Sequence, residues 1–183
     1  MDYFKKIMKE SIIVVILTTI IGFITGSFLS SYEGVLIYIP VILIILPALG
    51  DTIGDLATVI VSRLTTNLYL GEIEPKIQNS KVLKTDFFNL SITMALCCIT
   101  ILLMGYGIAF FTSVPIVYPF LIIVIVMISG LLLFALLFIV LVVSSIYLFK
   151  RGRDPNNYLV PIATTLADLL TPISVILLIQ IFI

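Results

Sequence analysis

The chain has 183 residues, of which 61% are hydrophobic and only 11% charged, with ten basic residues balancing ten acidic ones. A soluble domain is about a quarter charged, so this composition cannot clothe a water-facing surface and points to a polytopic membrane protein. With zero net charge and no basic patch on a soluble module, nucleic acid is excluded as a partner.

About 20 apolar residues cross a bilayer core, and that measure gives five spans, over 11–30, 36–63, 87–112, 116–149 and 159–182. The first apolar run has no small-residue cleavage pattern, so it reads as a retained span rather than a cleavable signal. The second is long for one straight crossing, and Pro47, Gly50 and Gly54 predict a break within it. The polar segment 64–86 that follows is too short to be a domain. In the third span the adjacent Cys97 and Cys98 read as small hydrophobes rather than a disulfide framework. The fourth, entered past Pro115 and Pro119, is too short for two crossings and a turn. Tyr32, Tyr38, Tyr69 and Tyr158 fall near span ends, where amphipathic aromatics commonly sit.

Charge placement tests the count independently. Lys5, Lys6 and Lys9 precede the first span; Arg63, Lys76, Lys81 and Lys84 lie in or beside the second connection. Lys150, Arg151 and Arg153 lie in the fourth. All ten basic residues then fall on one side, which the positive-inside rule makes cytoplasmic, with the N-terminus in and the C-terminus out. An additional crossing would put a basic loop outside.

Three acids lie inside spans: Asp51, Asp55 and Asp168. A charge at a helix centre costs about 2.5–3.5 kcal/mol on insertion scales, so such residues normally face a bundle interior or a water-filled path. At an α-helical rise of ~1.5 Å per residue, Asp55, Asp168 and Asp51 stand about 12, 15 and 18 Å above the cytoplasmic boundary. Asp51 and Asp55 also share a helix face, as i and i+4 neighbours do. Three carboxylates in one slab near the midplane, with no Lys, Arg or His beside them, call for protonation or for a cation as countercharge. An all-oxygen donor set without His suits a hard ion such as Mg²⁺, which often keeps several waters.

Around these acids, the small-xxx-small spacing of Gly50 and Gly54 fits close helix packing. Hydroxyls such as those of Thr164, Thr165 and Thr171 are commonly satisfied by backbone carbonyls. With Pro47, residues Gly50, Gly54, Thr164 and Thr165 are the candidates for lining or supporting a path. The spans contain no His and no Ser/Lys or Cys/His pair, so an intramembrane enzyme is not expected.

Two stretches carry a family resemblance. "PALGDTIGDLATVIVSRLTT" (47–66), followed by "LGEI" (70–73), resembles the second-span signature of the MgtE-type magnesium channels and their eukaryotic solute-carrier relatives. "DPNNYLVPIATTLADLLTP" (154–172) is similar to the last-span signature of the same family. The resemblance implies an all-α domain of five transmembrane helices that works as a homodimer with its two-fold axis along the ion path. It maps the family's metal-binding aspartate onto Asp168 of each protomer, and a second-span polar position onto Asp55, where many bacterial members have Asn. Asp51 has no secure counterpart.

Bacterial members also carry a cytoplasmic sensor region, whereas the first span here begins at about residue 11. The expectation is therefore a single transmembrane domain over 1–183 without a cytoplasmic regulatory domain, regulated differently, not at all, or by a separate chain. The expected function is magnesium or other divalent-cation transport in the lipid bilayer of the cell membrane, with Asp168, Asp55 and Asp51 as the metal site. A proton- or cation-coupled transporter of another ion, and a non-transporting subunit of a larger membrane complex, are the rival readings.

Overall fold

Apolar runs of this length form helices because a bilayer leaves each backbone amide only its own chain to bond with. The computed structural model describes residues 2–76 and 80–182; of the side chains before residue 15 it describes only that of Ile12. Lys5, Lys6 and Lys9, expected at the cytoplasmic end, lie outside the described side chains.

Among the described residues six helices follow in order: α1 (Asp2–Ser31), α2 (Glu33–Tyr38), α3 (Pro40–Leu70), α4 (Lys81–Phe111), α5 (Pro119–Lys150) and α6 (Pro155–Phe182). Among the described residues, α3 to α6 are each long and apolar enough to cross a membrane, and Val15–Ser31 of α1 is a shorter apolar helix. The five candidate spans and the all-helical class thus agree with the sequence reading.

The second span differs from expectation. Its break is at Ile39 (φ −127°, ψ 73°), and α3 then runs unbroken through Pro47. Proline disfavours the α conformation of the residue before it, and at the first helical position its missing N–H costs nothing, so Ile39–Pro40 is the natural boundary. Pro47 only removes the amide that the Leu43 carbonyl would have accepted. At 31 residues α3 is about 46 Å long, more than the ~30 Å apolar core, so it tilts or projects.

Helix α3 is central, packing on α4, α5 and α6, and α1 packs on α6. Small residues set the spacing. A Cβ on Gly105 of α4 would stand 2.6 Å from Ile45 Cγ1, and one on Gly130 of α5 would stand 2.7 Å from Cys98 Sγ. The same neighbours fix direction: α3 runs antiparallel to α4 and α6, and parallel to α5, whose Ile146 clusters with Leu64 and Leu68. The turns that leave α3 at Gly71 and α5 at Arg151, with Lys76, Arg151 and Arg153, therefore share one end of the bundle. Gly71 (φ 76°) and Gly152 (φ 68°) take the left-handed conformation those turns need. At that end Arg63 Nη2 of α3 donates to Asp86 Oδ1 of α4, an ion pair the sequence reading did not foresee. At the other end the Tyr106 hydroxyl donates to the Pro119 carbonyl over 2.7 Å, tying α4 to the start of α5.

Candidate functional site

The three acids of the candidate spans come from two helices held together by glycine. Gly50 and Gly54 are buried and face α6: a Cβ on Gly54 would lie 3.6 Å from Thr164 Cα and 3.7 Å from Ala167 Cβ. One on Gly50 would lie 3.7 Å from Asp168 Oδ1 and 3.8 Å from Thr171 Cβ. This close crossing brings the Asp168 carboxylate to the level of Asp51, which directly follows the buried Gly50 and stands on the outer face.

Asp51, Asp55 and Asp168 are all exposed on the protomer surface. On α3 they belong to a ribbon at helical spacing, Pro47, Asp51, Asp55, Val59, Ser62 and Thr66, with every member exposed. On α6, the exposed Asn157 and Asp168 and the half-buried Thr164 form a second polar ribbon. The sequence reading missed Ser62, Thr66 and Asn157, although their spacing from the acids on the same helices was the available signal.

The supporting residues separate by role. Pro47 is exposed in the ribbon, whereas Gly50 and Gly54 serve the α3–α6 contact. The Thr164 and Thr165 hydroxyls donate to the Pro161 carbonyl over 3.0 and 2.7 Å, and Thr165 is buried. Thr171 is buried too and donates to the Ala167 carbonyl over 2.7 Å. Pro172, inside α6, removes the amide that would have bonded the Asp168 backbone carbonyl. The carbonyl freed beside the acids thus comes from the last span, not from a break in α3.

Among the described residues, neither ion pair involves Asp51, Asp55 or Asp168, and no three His, Cys, Asp or Glu converge to hold a metal within one chain. The face contrasts with the outer side of α4, where Phe88, Ile92, Leu96, Ile99 and Leu103 are exposed as a lipid-facing surface would be. Three carboxylates turned to lipid would cost about 8–10 kcal/mol on insertion scales, comparable to the whole stability of a domain. A face carrying three carboxylates suits water or protein better than acyl chains.

No curated protein and no solved structure matches the chain significantly. The family MgtE, described as "Divalent cation transporter", matches residues 46–178, from the seventh residue of α3 to the last turns of α6. That range holds all three acids, both ribbons and the α3–α6 crossing, and the chain belongs to the MgtE family of divalent cation transporters.

Proposed function

We propose that two copies of this chain pair across the acid-bearing faces of α3 and α6 and conduct Mg²⁺ between them. The observation that carries this reading is the outward placement of three carboxylates of the candidate spans, without a cationic partner among the described residues, on a face unsuited to lipid. A two-fold axis along that face would double the acids, giving an ion path the charge that one chain lacks. Asp168 from each copy holds the ion, and Asp51 and Asp55 flank it.

The ion passes largely hydrated. Water-mediated contact to a few carboxylates binds it without trapping it, since Mg²⁺ gives up its waters reluctantly. The Asp168 backbone carbonyl freed by Pro172 adds an oxygen acceptor at the same level. The chain moves its substrate rather than transforming it. It resides in the cell membrane.

The test is Mg²⁺ influx into liposomes that hold the purified protein and a Mg²⁺-sensitive dye, comparing wild type with Asp168→Asn. Wild-type influx, lost in a variant that still forms dimers, supports the reading. Full influx through Asp168→Asn refutes the site. Flux driven by a pH gradient without Mg²⁺ points to proton coupling, and absence of all flux in folded wild type points to a non-transporting subunit.

A further inference from the structure

Arg63 and Asp86 lie beside the transport face rather than on it. Arg63 is eight residues beyond Asp55 on α3, about 12 Å along the axis, next to Ser62 of the exposed ribbon. Its side chain is 56% exposed, whereas the Asp86 side chain that accepts its hydrogen bond is 10% exposed. A residue needed only to set topology requires no partner; Lys84 and Lys150 stand exposed at the same end. Here a buried carboxylate from another helix is committed to the guanidinium, whose charge is permanent. Asp86 is held among Ile60, Leu64, Leu83, Leu90 and Phe138, which line a small cavity with the pair.

We propose that Asp86 is a positioning residue for the cation path: it holds Arg63 against α4 and neutralises it, so that divalent ions passing the Ser62–Thr66 end of the ribbon meet no uncompensated positive charge from α3. The inference rests on the transport reading above. Without Asp86, a flexible cationic side chain would sweep the space beside Ser62 and Thr66. At 6–8 Å through water, its repulsion of a doubly charged ion lowers local occupancy by roughly five- to tenfold. Salt would erase most of that effect, because the Debye length falls from about 30 Å at 0.01 M to about 3 Å at 1 M.

The experiment measures Mg²⁺ influx in liposomes at those two ionic strengths for wild type, Asp86→Asn, Arg63→Gln/Asp86→Asn and Asp168→Asn. Asp86→Asn is expected to lose about five- to tenfold at low salt and much less at high salt, and the added Arg63→Gln is expected to restore influx. Unchanged influx, a loss equal at both ionic strengths, or a loss that Arg63→Gln does not relieve would overturn the proposal. Should Asp86→Asn fail to fold, Ser62→Lys replaces it, adding an unpaired charge to the ribbon while the Arg63–Asp86 pair stays. A salt-sensitive loss then supports the proposal and wild-type influx overturns it. Failure of the transport reading is distinct: wild type is silent or Asp168→Asn is fully active, and this inference falls with it.

Discussion

The same substitution at two buried glycines should have opposite effects on stability. An alanine at Gly50 places its Cβ 3.7 Å from Asp168 Oδ1 and 3.8 Å from Thr171, ordinary van der Waals distances. Nothing has to move, and the helix gains the ~0.5–1 kcal/mol by which alanine exceeds glycine in helix interiors. An alanine at Gly105 places its Cβ 2.6 Å from Ile45 Cγ1 and 3.1 Å from its Cδ1. Ile45 is 1% exposed and has little room to yield. Overpacking costs typically 1–3 kcal/mol, which outweighs the gain in propensity. For a chain of this size, 1 kcal/mol moves the midpoint by roughly 2–4 °C. Gly50→Ala should therefore melt about 1–4 °C higher, and Gly105→Ala, at a net cost of about 0.5–2 kcal/mol, about 1–8 °C lower. Thermal unfolding in one detergent, followed by circular dichroism, makes the comparison. Shifts of the same sign and size would refute the reasoning, because they would mean that α4 does not approach α3 at Ile45.

Two further outcomes concern the ribbon. Asp51→Asn and Asp55→Asn each remove an attraction of about 1–2 kcal/mol for a divalent ion at ~4–8 Å in water, so half-saturation of Mg²⁺ influx should rise about 5- to 30-fold. Unchanged half-saturation in both variants would remove these acids from the path. Ser62→Cys should react with a charged, membrane-impermeant thiol reagent and lose influx, while Leu103→Cys, on the apolar face of α4, should stay unmodified. Equal reactivity at the two positions would contradict a wet ribbon and a lipid-facing α4.

Much of the architecture was legible because bilayer physics acts on local sequence. Run length sets the number of spans, and the basic residues of the two polar connections fall at one end of the bundle. The i, i+4 spacing alone puts Asp51 and Asp55 on one face. Helical rise also put Asp168 and Asp51 at similar heights, and the α3–α6 crossing sets the Asp168 carboxylate beside Gly50, the neighbour of Asp51. The break was misplaced because proline and glycine mark only where a helix can yield. Helix α3 continues through Pro47, and the chain yields instead at Ile39, ahead of Pro40.

What one helix presents to another depends on its rotation about its own axis, and packing decides that rotation. Only the tertiary structure therefore turned Gly50 and Gly54 toward α6, hid Thr165, and left the three acids on the outer face. It also joined Arg63 to Asp86, which are 23 residues apart in sequence. The sequence by itself determined the membrane class and the span order, because hydropathy and run length are properties of each segment. The shared face and the paired charges arise between segments, where side-chain volume and close approach choose the partners.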